Sequence, residues 1–269
     1  MMKILKFSAR ILLICCASLS LMQAQDGKSA EELAKELANP VASLISVPLQ
    51  NNFDFDMGPM ENGSRYNLNI QPVIPISISE DWNLISRTIV PVVVQNDVFF
   101  DGSKETGLGD ILASAFFSPK TPTKGGLIWG VGPVFLLPTA SDDLLGADKW
   151  AVGPNAVFLK TKGPYTFGVL MNHLWSFAGS GTTDINNSFI QPFFTYATPS
   201  GSSFTMASEN SQAWDNDIFG GFVGVYYAKV LKAGKQMVQV GGGPKIYYGN
   251  NRFNPDWGLR FIVILLFPK

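Results

Sequence analysis

The chain has 269 residues, of which 46% are hydrophobic and only 15% charged; the net charge is −1, and there are 20 phenylalanines, 26 glycines, two cysteines and one histidine. That aromatic content excludes a disordered chain, and the near-neutral charge excludes a typical nucleic-acid binder. Beyond the N-terminus no apolar run approaches the roughly 20 residues of a membrane-spanning helix, so a low-charge, glycine-rich chain of this size points to β structure.

Residues 1–24 read as a secretory signal peptide. Lys3, Lys6 and Arg10 precede the apolar run Ile11–Met22, and Ala24 is a suitable residue before a cleavage site. The run is short for an uncleaved anchor, and Cys15 and Cys16 lack the small preceding residue of a lipoprotein site. Cleavage would remove both cysteines, and with them any disulfide, thiolate metal site or cysteine nucleophile. It would leave 17 Lys+Arg against 21 Asp+Glu, a net charge of −4.

Residues 25–43 form a leader containing one helix, expected over 28–38. Ser29 is its cap, Glu32 completes a capping box, Leu33 and Leu37 share a face, and Pro40 stops it. Such a helix serves either as a solvated leader or as a short plug.

From about residue 44 the period changes to two. Ile45, Val47, Leu49, Phe53 and Phe55 alternate with Ser46, Gln50, Asn52, Asp54 and Asp56. The same alternation returns in about twelve strands, with cores at 44–57, 66–78, 83–96, 108–119, 127–138, 150–161, 165–177, 188–198, 203–209, 218–231, 236–248 and 257–267. The ninth is the shortest and most polar. Many of the strands match the 9–11 residues of a tilted membrane-spanning strand. Long connections such as 97–107 and 139–149 alternate with short ones such as 80–82 and 162–164, the asymmetry of outer-membrane barrels. The expected fold is therefore all-β, a transmembrane antiparallel β-barrel over 44–269 with a short N-terminal helix. Its place would be the bacterial cell outer membrane. Prolines inside the strands (Pro48, Pro72, Pro75, Pro91, Pro133, Pro154, Pro192 and Pro244) cannot donate to a ladder and are expected to mark bulges and kinks, or a narrowed lumen or lateral gap.

The stretches ELANPVASLISVPLQNNFD (36–54), NIQPVIP (69–75), WNLISRTIVP (82–91), GLGD (107–110), PDWGLRF (255–261) and LFPK (266–269) together resemble a family of bacterial outer-membrane β-barrels classed as transporters. Its members are filed with the meta-pathway phenol-degradation proteins and sometimes carry the label neuromedin U. The resemblance covers nearly all of the chain after the signal. It implies a barrel in a Gram-negative outer membrane and uptake of small aromatic or lipophilic molecules; separately, the C-terminal dyad Leu259, Phe261, Val263, Leu265 and Phe267 resembles the sorting signal read by the barrel-assembly machinery. It transfers no catalytic residue.

Facing the polar alternates inward gives a candidate lumen lining of Asp54, Asp56, Asn69, Gln71, Arg87, Asp110, Gln191, Lys245 and Arg260, with Gln50, Asn52 and Asn67 beside them. A charge near the bilayer midplane costs about 2–4 kcal/mol on the lipid face, so Arg87 and Arg260 belong inside. There they would pair with carboxylates or select solutes by charge. No catalytic set is expected. His173 shares a face with Phe167, Val169, Met171, Trp175 and Phe177, whereas Ser176 falls on the other face. No cofactor or metal is expected either: Gly241–Gly243 opens no helix, and Asp142–Asp143 sits in a loop. The partners are outer-membrane lipid and a small solute, with no nucleic acid. The function expected is a transporter or narrow channel; the alternatives are a barrel lipid hydrolase and a non-transporting structural barrel.

Overall fold

The computed structural model describes residues 28–267; the expected signal peptide and the terminal Pro268–Lys269 lie outside the described residues. Among the described residues one helix, α1 (Ala30–Leu37), precedes fourteen strand segments. These are β1 (Ile45–Met57), β2 (Gly63–Ile70), β3 (Val73–Ser77), β4 (Trp82–Asn96), β5 (Lys104–Leu108), β6 (Ile111–Pro119) and β7 (Leu127–Leu137). The second half adds β8 (Lys149–Lys162), β9 (Tyr165–Gly179), β10 (Asn186–Ala197), β11 (Ser202–Ala213), β12 (Ile218–Ala233), β13 (Gln236–Gly249) and β14 (Trp257–Phe267).

Fourteen segments make twelve staves. β2 and β3 are one stave interrupted at Gln71–Pro72, and both pair with β4. β5 and β6 are one stave interrupted at Gly109–Asp110, and both also pair with β4. Every neighbouring pair is antiparallel, and the eleven-residue register between β1 and β14, from Ile45↔Phe267 to Phe55↔Trp257, closes the sheet into a barrel. Closure removes the edges that an open sheet would leave to unwanted pairing. It also pairs the backbone within the wall, as hydrocarbon surroundings require.

The tight turns gather at one end. Gly163–Pro164 and Gly234–Lys235 are two-residue hairpins whose glycines take φ of +59° and +63°, open to glycine and costly for other residues. The 97–103, 138–148 and 250–256 loops lie at the other end. The ninth stave departs from expectation. β11 continues to Ala213, so its following connection shrinks to 214–217. Its polar stretch Ser208–Gln212 reads weakly as strand in the sequence, yet it pairs through Asn210, Ser211 and Gln212 on both sides.

Beside Pro91 the register shifts by one, from Val92↔Leu108 to Ile89↔Leu112, opposite Gly109–Asp110, whereas most of the other prolines leave it unchanged. Two further bulges, at Phe55/Met57 and Trp150/Ala151, lie away from prolines. At Gly132-Pro133, Gly153-Pro154, Gln191-Pro192 and Gly243-Pro244 two ladder pairs drop out on one side while the register beyond them is unchanged. The three glycines explain how this is tolerated. A Cβ on Gly132, Gly153 or Gly243 would lie 1.7–2.0 Å from a carbonyl oxygen of the next strand, so only glycine permits that approach beside the missing N–H.

Outward-facing residues are apolar, and the aromatic ones form two rims. Trp82 and Trp129 pack edge to face, and Tyr165, Tyr196, Phe204 and Tyr227 follow one another around the short-turn end. Phe55 on Trp257, and Phe219 beside Tyr248, mark the long-loop end. An apolar band between aromatic girdles is the surface a bilayer requires.

Candidate functional site

The interior is divided into two arcs. On one, staves from β1, β2, β4 and β11–β14 face polar and charged groups inward. Asp54 and Lys245 form an ion pair at 2.7 Å, with side chains only 3% and 1% exposed. Tyr247 Oη donates to the same Asp54 oxygen at 2.7 Å, and Arg65 reaches the other oxygen at 3.4 Å. Asn52 links the next pair: its Oδ1 accepts from Lys245 Nζ and from Arg260 Nε at 2.8 Å. Arg260 pairs with Glu209 at 2.8 Å. Phe222 lies under both cations, with its centroid 5.1 Å from Lys245 Nζ and 5.2 Å from the Arg260 guanidinium. A second chain runs Arg87→Gln71→Gln50, each step 2.9 Å.

On the opposite arc β6–β10 turn aliphatic and aromatic side chains inward. Phe116, Val157, Leu159 and Leu170 form one buried cluster, joined by Ile85 from the neighbouring β4, and Val134, Ala151 and Leu174 another.

The lumen residues expected from the sequence thus fall in different places. Asp54, Gln71, Arg87, Lys245 and Arg260 converge in the polar arc. Gln191 reaches Glu209 from β10 at 3.5 Å. Asn69 sits between Gln50 and Pro91 in register and is half-buried. Asp56 is not inside. The bulge after Phe55 and its φ of +55° reverse its side, and its carboxylate accepts from Trp257 Nε1 on the outside of the barrel. Asp110 works at the rim instead, where it accepts backbone N–H groups of Thr139, Ala140 and Ala147 and ties down the 138–148 loop. Glu209, Tyr226 and Tyr247 belong to the network without having been singled out in the sequence. Glu209 stands at the end of the weakly patterned core expected at 203–209, inside β11 as it forms; the tyrosines read as ordinary wall aromatics. Tyr226 turns inward because its hydroxyl lies over Gly224, where a Cβ would sit 2.0 Å from it.

α1 covers the short-turn mouth. Its capping box is complete, with Ser29 Oγ accepting from Glu32 N–H and Glu32 accepting from Ser29 N–H at 2.8 Å. Leu33 is fully buried, and with Ala34 it packs on Leu44, Ala197, Val230, Ile264 and Leu266 at the ends of the staves. The helix is thus packed against the stave ends with one face buried. Glu32 itself is exposed, and its hydrogen bonds to Ser29 hold its carboxyl below the ordinary value.

Two cavities result. One of about 260 Å³ lies beneath α1 and touches both arcs: Gln71, Arg87, Tyr226 and Arg260 on one side, Leu170 and Phe193 on the other. One of about 390 Å³ lies toward the long loops and is bordered by Arg65, Gln95, Asp110 and Tyr247. The Asp54–Lys245–Arg260 layer lies between them.

His173 makes one hydrogen bond among the described residues, Nδ1 to Ser188 Oγ at 2.7 Å across the β9–β10 pair, and its ring lies 4.0 Å from that of Trp175. Among the described residues no group of three His, Cys, Asp or Glu could hold a metal.

No family model matches the chain, and no curated protein matches it. Solved structures do. The chain is similar to the COG4313 outer membrane channel from Pseudomonas putida F1, with a TM-score of 0.66 and 13% identity over 84% of this chain and 96% of that one. A weaker likeness, with a TM-score of 0.45 and 11% identity over 88% of this chain and 98% of the other, is to the Salmonella typhi outer membrane phospholipase dimer. The fold is that of a bacterial outer-membrane β-barrel, with its apolar belt in contact with membrane lipid.

Proposed function

We propose that this barrel is a narrow outer-membrane channel or transporter for a small aromatic or lipophilic solute. The observation that carries the reading is the interior itself. It is neither filled with side chains nor open as a wide pore, and two cavities of about 260 and 390 Å³ lie in line on either side of a charged layer. The described lining holds no nucleotide loop, so the solute gradient supplies the driving force. The likeness in fold to an outer-membrane channel and the resemblance to a transporter family favour the same reading. Under it, residues 1–24 direct export, α1 and the residues that follow it to 43 plug the mouth, and the barrel-assembly machinery inserts the barrel that begins at about residue 44.

The test is flux into liposomes containing the purified barrel, comparing charged, neutral and aromatic solutes of similar size. Small solutes with apolar bodies should enter faster than equally sized sugars. No flux for any solute would leave the structural-barrel reading.

A further inference from the structure

We propose that the cavity beneath α1 is a binding site for a small amphiphilic monoanion, a carboxylate on an apolar body, and that Arg87 holds the carboxylate. The inference deepens the transport reading, since the site lies on the path that reading needs.

The pairing of interior charges leads to it. Asp54 is taken by Lys245 and Arg65, and Glu209 by Arg260. Arg87 has no carboxylate within 4.0 Å among the described residues. Its one side-chain hydrogen bond goes from a terminal nitrogen to Gln71 Oε1. A guanidinium carries five N–H donors in a fork that matches a carboxylate, so most of this group's donors are free. Glu209 lies near enough to attract Arg87 but is bonded to Arg260, and a guanidinium inside a barrel wall with no carboxylate bonded to it is costly and marks a functional position.

A second group points to the same space. Tyr226 borders the cavity, and its buried hydroxyl has no hydrogen-bond partner. It supplies a donor for a second ligand oxygen without adding charge. Apolar side chains make up part of the remaining wall, Val73, Leu170 and Phe193 from the barrel with Leu37 of α1 and Leu44 after it, while Glu36, Gln50, Gln191 and Gln239 add polar groups. One face recognises an anion and the other an apolar body. Of the charged side chains bordering this cavity, Arg260 is paired with Glu209 and Glu36 with Lys28, so Arg87 is the cation left for a ligand, and a ligand charge of −1 matches it. At ~30 Å³ per water, a space of about 260 Å³ equals roughly nine waters, which suits a ligand of about ten non-hydrogen atoms and excludes a phospholipid.

The experiment is equilibrium calorimetry on the full chain in lipid nanodiscs, with empty nanodiscs as the partition control. The probes are hexanoate, 1-hexanol and hexylammonium. Hexanoate should bind roughly tenfold or more tightly than hexanol, the worth of a charge-assisted hydrogen bond, and hexylammonium not at all. Arg87→Gln should erase the preference of hexanoate over hexanol, and Arg87→Lys should keep part of it. Folding of each variant is read from heat-shift electrophoresis. If Arg87→Gln does not fold, the wild-type ranking of the three probes decides alone. Equal binding of hexanoate and hexanol, or an undiminished preference in folded Arg87→Gln, overturns the site. Hexanoate binding without liposome flux would sink the transport reading and leave this site standing. Flux without hexanoate preference would do the reverse.

Discussion

The two interior arcs are built from the same antiparallel wall and differ in what holds them. The apolar arc of β6–β10 is a packed core in which Phe116, Val134 and Val157 are almost completely buried. Its cohesion comes from apolar area removed from water. The polar arc has little such area. It is held by a chain of charge-assisted bonds that runs from Arg65 through Asp54, Lys245, Asn52 and Arg260 to Glu209 and joins staves distant in sequence. A core tolerates the loss of one contact in proportion to the cavity it leaves. A buried ion network does not, because removing one member strands the charge of another.

The largest expected effect follows from that difference. Asp54→Ala leaves Lys245 buried with a hydroxyl and an amide for company, and should cost about 3–5 kcal/mol in urea unfolding of the lipid-reconstituted barrel. The double variant Asp54→Leu with Lys245→Met removes both charges and should recover most of the loss. A single-variant cost below about 1 kcal/mol would mean that water already screens the pair.

The matching variant on the apolar arc is Leu170→Ala. Leu170 is nearly buried but borders the cavity, so its neighbours already face empty space on one side. The cost should fall at the low end of the Leu→Ala range, about 2 kcal/mol, measured in the same unfolding assay. A loss as large as that of Asp54→Ala would erase the distinction between the arcs.

The mouth plug bridges both arcs and should respond more weakly. Ser29→Ala removes the helix cap at a cost of about 1 kcal/mol, seen as faster proteolysis near residue 30 with the barrel intact. Its acid sensitivity has a definite sign. The Glu32 carboxyl is held below its ordinary value by Ser29, so its contribution is complete above the ordinary value of 4.5 and is lost as pH falls through the lowered value. Proteolysis should therefore accelerate on acidification in the wild type and respond little in Glu32→Gln.

Much of this architecture was legible in the sequence, because a closed sheet in lipid imposes strict alternation. The period of two located eleven staves closely, and the capping box at Ser29 located the helix. What escaped has physical reasons. Asp56 follows the alternation on paper, but a bulge reverses its side. The prolines suggested bulges and kinks; one such bulge falls beside Pro91, whereas at Pro133, Pro154 and Pro244 the preceding glycines absorb the missing donor through close backbone approach. Glu209 stood at the end of a polar strand whose pairing supplies what its weak pattern does not. Alternation tells which residues face inward; it does not tell which of them meet across the barrel, so the pairings that leave Arg87 free could not be read from it.

The smallest effect is expected outside the barrel, at His173 and Ser188. Their 2.7 Å contact is the one observation favouring a lipid hydrolase. A serine nucleophile needs a base that is itself oriented, and an oxyanion hole. Here the imidazole uses Nδ1 for the serine, and its Nε2 is buried without a partner. Ser188 Oγ also accepts from Trp214 Nε1 at 2.9 Å, which ties the hydroxyl to the rim. The pair therefore fastens the 214–217 turn to the girdle. Ser188→Ala should shift stability by roughly 1 kcal/mol or less, the net worth of such hydrogen bonds. It should leave the ester content of surrounding phospholipid vesicles unchanged from that seen with wild type. Ester cleavage by the wild-type barrel that disappears in Ser188→Ala would make the outer face, and not the interior, the seat of function.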